Sequence, residues 1–449
     1  MDTQTPPAEV AVPDPARRGG MFTALSSPNY RIYLSGAFVS NIGTWMQRVA
    51  QDWLVLELSG GSALALGVTT GLQFLPMLLV TPYGGLIADR FDKRRILKIT
   101  QSWLALCALV LGLLAVTGVA TTEHVYLMAL LFGIGVAFDN PARQTFVAEI
   151  AGPEHLPNAI GLNSAGFHAA RIIGPAAAGL VIAAFGSGWA ILTNSVTYAA
   201  FVTALLLLDA RRLTIVRPAA RAKRQIREGL AYVRRHDRIL LVMCVAFFMG
   251  TFGMNFLMTS ALMAQQEFGL GPQAYGLLGT FVAVGSLFGA LLAARRRSAP
   301  SPRFVVLMAF AFALVEVVAG LMPTYATFAA ALPVLGLATL LTLTAANASV
   351  QMGVEPQLRG RVMALYFTLL MGGSALGAPI LGWVGEAFGP RWTLIGGGVL
   401  TALGVLVSAA LLERRRRRQR LGDQRIQTKC GPTSANPASR ARASSSPSS

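Results

Sequence analysis

Twelve apolar runs of about twenty residues each occupy most of this chain, and they leave few folds open. A run of that length crosses roughly 30 Å of hydrocarbon as a helix. Inside a bilayer every backbone polar group must find its partner within the chain. The runs cover about 31–56, 63–88, 96–118, 125–148, 157–184, 189–208, 239–264, 274–294, 303–322, 325–350, 361–387 and 391–412. They predict an all-α integral membrane fold with twelve transmembrane helices. With 54% hydrophobic and only 13% charged residues, the 449-residue chain has too little charge for the surface of a soluble protein.

The net charge of +18 then needs a reason. With the N-terminus on the cytoplasmic side, 35 of the 38 Lys and Arg fall on cytoplasmic segments; Arg48 and Arg171 lie inside runs, and Arg391 lies opposite. This is the positive-inside bias. It predicts a multi-pass protein of the bacterial inner membrane with both termini cytoplasmic. The basic charge sets topology and faces the lipid bilayer, so no nucleic acid is expected as a partner. Cys107, Cys244, Cys430 and the four histidines scatter without disulfide or ligand spacing. Neither a metal nor a cofactor is expected. No nucleotide-binding or hydrolase motif is present, which argues against ATP-driven pumping and against an enzyme.

The charge pattern also divides the chain. Residues 1–21 form a Pro-rich cytoplasmic tail expected to be disordered. Residues 22–210 make a first six-helix bundle, 211–238 a basic cytoplasmic loop, and 239–412 a second bundle. Residues 413–449 form a basic, Ser-rich tail, also expected to be disordered. Within the central loop, 222–238 interleaves bases with Ile226, Leu230, Tyr232 and Val233, which fits an amphipathic helix on the membrane surface.

The two halves repeat. An offset of 203 residues aligns Gly179 with Gly382, Val181 with Val384, Ala184 with Ala387, Phe185 with Phe388, Gly186 with Gly389 and Trp189 with Trp392. Gly174 and Gly377 keep the same offset. Because it covers six runs, both copies enter the membrane in the same sense. A parallel repeat of two six-helix halves is a secondary-transporter plan, with the substrate site between the halves near the midplane.

Between the second and third runs stands Gly85-Leu86-Ile87-Ala88-Asp89-Arg90-Phe91-Asp92-Lys93-Arg94-Arg95. Together with the twelve spans, the repeat and the long central loop, this turn resembles the major facilitator superfamily over residues 22–412. Gly85, Ala88, Asp89, Arg90, Lys93 and Arg94 match its loop signature G-x-L-A-D-R-x-G-R-R. Ile87 replaces the leucine, and Asp92, a residue type that tolerates positive φ, takes the second glycine's place. In span five Gly161, Gly174, Pro175 and Gly179 resemble the family's antiporter signature, with Ala170 and Ala178 where glycines would stand. SNIGTWMQRVAQDWLV, DNPARQTFVAEI and LPNAIGLNS are similar to the bacterial branch that contains the enterobactin exporter and drug efflux proteins. The resemblance implies a monomer that exports a small amphipathic organic compound, drug or siderophore-like, by alternating access in exchange for protons. A proton-coupled importer or uniporter of a small metabolite is the nearest alternative. A membrane sensor or enzyme would need a catalytic cluster or an extramembrane domain, and neither is visible.

Candidate residues fall into three groups. Gly85, Asp89, Arg90, Lys93 and Arg94, with Asp139 and Arg143 around Pro141, form an expected cytoplasmic gate latch in which Asp89 meets Arg143 and Glu149 supports them. The matching second-half segment, residues 293–303, has bases but no acid, so the latch is one-sided. Arg48 and Asp52 share one helix face four residues apart, as a mutually neutralised pair or as a proton-sensitive carboxylate with its tuning cation. Trp45 and Gln51 nearby offer stacking and hydrogen bonds. Arg171, in the middle of span five, is placed to neutralise an anionic substrate or to pair with Asp52, because an unpaired cation at that depth is costly. Asn163 and His168 lie on the same helix as cavity-lining candidates. Glu316, the lone acid deep in the second half, is a second candidate proton or substrate site. Gly161, Gly174, Pro175 and Gly179 are expected to allow bending and close helix contact.

Overall fold

The computed structural model describes residues 22–213, 225–296 and 300–429, with the side chains of residues 81–90, 225–227, 356 and 416–429 outside the description. Among the described residues the fold is helical, without strands. In the first half α1 is Pro28–Leu58, α2 Ala63–Arg90, α3 Lys93–Val116, α4 Thr122–Phe185 and α5 Ser187–Leu207. The short α6, Gln225–Arg235, leads into α7, Asp237–Phe248. A π-turn at Met249–Gly253, α8 at Phe256–Leu262 and a second π-turn at Met263–Glu267 continue that segment. Then follow α9 Pro272–Ala294, α10 Pro302–Gly320, α11 Tyr325–Gly353, α12 Pro356–Phe388 and α13 Pro390–Lys429.

Local chemistry sets the starts. Ser27, Ser301 and Thr324 accept backbone N–H groups at the first turns of α1, α10 and α11, and prolines open α1, α9 and α10 at positions whose N–H has no helical partner. Among the described residues ten helical stretches are long and apolar enough to cross a membrane. α1 is not among them, because Asn41, Gln47, Arg48, Gln51 and Asp52 dilute its hydropathy.

α4 has 64 residues, which as a straight helix would extend about 96 Å. It breaks at Gly152, whose φ of 69° and ψ of 168° suit only glycine. The chain reverses there, since Gly188, just past the far end, packs on Val116, just before the near end. The predicted runs 125–148 and 157–184 are therefore two arms of one element.

Two seams join the halves. α2 packs on α12, and the second arm of α4 packs on α9. A Cβ on Gly67 would stand 2.5 Å from the Ala378 carbonyl oxygen and 2.9 Å from the Gly382 Cα. On the other seam Gly276 meets the Pro175 carbonyl and the Gly179 Cα. Pro175 and Ala378 hold the same offset as Gly179 and Gly382, so both seams close on the same stretch of the repeat. A third relation obeys it: Gly174 lets α4 approach α1 at Trp45, and Gly377 lets α12 approach Thr251 in the first π-turn. Small residues let backbones meet where no hydrophobic driving force separates lipid from protein.

Three expectations need correction. Asp92 does not adopt positive φ; at −57° it caps α3, its Oδ1 accepting the Arg95 N–H at 3.1 Å. The amphipathic helix of the central loop does form, but it docks on α12: Glu228 pairs with Arg361, Gly229 packs on Arg361 and Leu365, and Val233 is buried. The final tail is not irregular from residue 413, since α13 continues to Lys429 through a run of Glu, Arg and Gln that favours helix. Residues 1–21 and 430–449 lie outside the described residues.

Candidate functional site

Asn41, Trp45, Arg48 and Asp52 follow one another at spacings of four, three and four, so they form a single stripe on α1. Each level of the stripe meets a different part of the bundle.

At the end that carries Lys93–Arg95 and Arg211–Arg212, here the basic end, the stripe meets a buried ion pair. Asp139 accepts hydrogen bonds from Thr100 Oγ1 at 2.8 Å, Gln101 Nε2 at 2.7 Å and Arg143 Nε at 3.0 Å. Arg143 also donates to Asn41 Oδ1 at 3.4 Å, and its guanidinium lies 4.7 Å from the Phe201 ring centre. Three donors from α3 and from its own helix thus converge on Asp139. Lys93 Nζ binds Glu149 Oε1 at 2.6 Å. Arg94 spreads its fork over the Leu205, Leu206 and Leu208 carbonyls at 2.7, 3.0 and 2.8 Å, capping the C-terminal end of α5. Gly85 and the side chains of Asp89 and Arg90 lie outside the described residues, and the expected Asp89–Arg143 contact lies there with them. Glu149 serves Lys93 rather than Arg143.

In the middle, two guanidinium groups address one indole. Arg48 Cζ lies 4.9 Å and Arg171 Cζ 5.4 Å from the centre of the Trp45 ring. Arg48 also lies 5.7 Å from the Phe74 ring. Phe167 meets Trp45 edge-on at 5.9 Å, and His168 meets Phe167 in the same way at 5.9 Å. Arg171 belongs to the inward stripe of its arm with Pro175 and Gly179, while Ile173 and Leu180 mark the exposed side. The half-buried Asn163 lies two turns earlier on that arm, and Gly161 is open, with no packing neighbour for a Cβ.

At the opposite end the stripe meets the other half. Asp52 does not form an ion pair with Arg48 or Arg171 among the described residues. Its Oδ2 accepts the Tyr275 hydroxyl of α9 at 2.8 Å, and Trp53 stacks on the Tyr275 ring at 6.1 Å. Glu386 of α12 accepts from the Ser62 hydroxyl at 3.1 Å and from the Leu64 N–H at 3.2 Å, an acid at the N-terminus of α2 where the helix dipole favours it. Gln266 donates to the Gly61 carbonyl, and Thr280 donates to the Ile172 carbonyl at 3.0 Å. These hydrogen bonds between the halves lie from this end to the middle. Arg391, the cation off the cytoplasmic count, pairs with Glu267 at 2.8 Å and caps α10 through the Met322 carbonyl at 2.7 Å.

The structure therefore brings Trp45, Arg48 and Arg171 together, and separately Asp139 with Arg143. It gives Asp52 to Tyr275, with no ion pair to either arginine among the described residues, and it puts Glu316 elsewhere. Glu316 is buried between α10 and α13, beside Gly397 and the Phe252 carbonyl of the first π-turn, with no partner for its Oε2 among the described residues. Gln51 is buried one residue from the stripe, its Nε2 likewise unpartnered. Sequence reasoning missed Asn41, Gln101, Tyr275 and Glu386. The α1 spacing extended back from Trp45 would have found Asn41; the other three take their roles only from helices that pack across from them.

Comparison with known proteins places this geometry. The model of the transmembrane secretion effector family matches residues 19–425. Identity is 24% over 264 residues with the staphyloferrin A transporter of Staphylococcus aureus, covering 58% of this chain and 66% of that one. It is 32% over 187 residues with the multidrug efflux pump Tap of Mycolicibacterium fortuitum, covering 40% and 45%. The alignment thus spans less than two thirds of either relative. With the enterobactin exporter EntS of Escherichia coli, identity is 23% over 405 residues, covering 87% of this chain and 94% of that one. Among solved structures, the nucleoside transporter NupG superposes with a TM-score of 0.66 at 14% identity, covering 85% of this chain and 98% of that one. A bacterial homologue of the iron transporter ferroportin in an inward-facing state gives 0.65 at 15%, covering 86% and 98%. At such identities the structures speak to the fold alone.

Proposed function

The chain belongs to the transmembrane secretion effector family of major facilitator transporters, and from that membership we propose a proton-coupled exporter of a small amphipathic organic compound, drug or siderophore-like. The relatives and fold neighbours are membrane transporters of small molecules, not enzymes. Export, proton exchange and the compound's class are our reading. So are the twelve passes, the two-bundle division, the monomeric state and the cytoplasmic position of the basic end with both termini.

The observation that carries the reading is the α1 stripe. It runs within the first half from the Asp139–Arg143 pair, past Trp45, and reaches the other half where Asp52 meets Tyr275. A device that exposes a central site alternately to two sides needs polar contacts at both ends that part and re-form. Asp52 supports proton coupling because its carboxylate accepts one of the hydrogen bonds that join the halves. Protonation would remove an acceptor's charge at that bond, and an intramembrane acid is a functional site by default. Glu316, away from the stripe, is the second candidate. At the basic end we keep Gly85, Asp89, Arg90, Lys93 and Arg94 as a one-sided latch, with Asp139 and Arg143 as the buried pair beneath it.

The test is a proton-flux assay on proteoliposomes of the full chain, challenged with a panel of siderophores and amphipathic drugs. A substrate gradient should drive proton movement of opposite direction, and Asp52→Asn should abolish that movement. Substrate flux with no proton counterflow would remove the antiport reading. A second reading as an importer predicts proton movement in the same direction as substrate.

A further inference from the structure

Arg48 and Arg171 come from different elements, α1 and the second arm of α4, yet both guanidinium groups lie over the Trp45 ring. Like charges do not gather at mid-membrane without a reason, since each is costly there unless paired. Among the described residues no acid pairs with either. Asp52, one turn from Arg48, accepts the Tyr275 hydroxyl at 2.8 Å and forms no salt bridge with Arg48 among the described residues. Arg48 Nε is buried and has no acceptor, and Gln51 Nε2 beside it has none. The level therefore presents donors and positive charge beside an aromatic wall of Trp45, Phe74 and Phe167.

Resting on the exporter reading above, we propose that this level is the substrate's anion subsite, and that the transported compound is an organic acid carrying an aromatic or other planar apolar portion. Its carboxylate or comparable oxyanion lies between Arg48 and Arg171, accepting from Arg48 Nε and from the Arg171 fork. Its planar portion packs along Phe74 and Phe167. The planar guanidinium group suits this task because it can meet an oxyanion with paired donors while one face remains on the indole. Binding discharges the two cations, so the empty and loaded forms differ most in electrostatic energy at this level. A cationic amphiphile meets two like charges here and is excluded.

The experiment uses the full chain in lipid nanodiscs and three probes of one shape: 2-naphthoate, 2-naphthalenemethanol and 2-naphthylmethylammonium. Isothermal titration should rank the acid first, roughly tenfold above the alcohol, one charge-assisted hydrogen bond's worth, with the ammonium weakest. Arg48→Gln and Arg171→Gln should each cut naphthoate affinity by about tenfold and leave the alcohol unchanged, while Arg171→Lys, which keeps the charge, recovers part of the loss. Unchanged thermal unfolding of the variants separates lost binding from lost folding. Equal binding of the ammonium, or naphthoate affinity indifferent to both Gln variants, overturns the proposal. Uptake of the same probes in proteoliposomes separates the two readings. Naphthoate bound as described but never moved sinks the exporter and leaves the anion subsite. Transport of naphthoate at undiminished rates in both Gln variants sinks the subsite and leaves the exporter.

Discussion

Asp139 shows what a single buried acid does here. Three donors converge on it and Arg143 closes the pair, with side-chain exposures of only 5% and 15%. Removing one member of such a pair leaves the other charged and enclosed, so Asp139→Ala should destabilise the protein by about 3 kcal/mol. Thermal unfolding in detergent checks this; an unaltered transition would mean that Arg143 finds another acceptor at no cost. Tyr275→Phe probes the far end of the same stripe. Loss of the hydroxyl frees Asp52 and should weaken closure between the halves by about 1 kcal/mol, near a fivefold shift toward the open form. Labelling rates at a cysteine placed at Ser62 would report it. At this scale the sequence was only partly legible. The i,i+4 pairs Arg48–Asp52 and Asp139–Arg143 look alike along the chain. In space the second is an ion pair, whereas Asp52 takes its hydrogen bond from Tyr275 on another helix.

Elements were easier to read than partners. Apolar length and the positive-inside bias laid out the passes, because a bilayer admits helices and little else. The junction at Gly152 was missed as a feature of one continuous element: a reversal through a single positive-φ glycine has no polar loop to announce it. The π-turns at Met249–Gly253 and Met263–Glu267 were also invisible, since they keep apolar composition while changing hydrogen-bond register. The glycine repeat gives the element-scale prediction. At Gly276 a side chain would collide with backbone of α4, not with a flexible tip. Gly276→Leu should therefore hold the α4–α9 seam apart and abolish transport with expression retained. A counter-substitution outside the seam, at Gly161 with open space around it, should be tolerated. Normal flux in Gly276→Leu would show that the seam need not close during the cycle.

Among the described residues, hydrogen bonds between the halves gather at the end opposite the basic one. Ser62 and Glu386 sit on opposite sides of that junction. In a chain whose Cys107, Cys244 and Cys430 have been replaced, a Ser62→Cys, Glu386→Cys pair should form a disulfide under oxidation and stop transport, with activity restored by reductant. Full activity in the oxidised, cross-linked protein would contradict alternating access through this end. The helical membrane class and the internal repeat were legible at this scale, because both depend on patterns summed over many residues. Where the halves bond to each other was not, because that depends on a few hydrogen bonds between segments far apart in the chain.

The stripe on α1 has a mechanical corollary. Turning that helix about its own axis by one residue, roughly 100°, would carry Asn41 off Arg143, Trp45 out from under both guanidiniums and Asp52 off Tyr275 in one motion. α1 would then behave as a camshaft, with events at three depths of the membrane timed by a single rotation. A spectroscopic label at any level of the helix should record one common transition, with identical kinetics at the top, middle and bottom of the stripe.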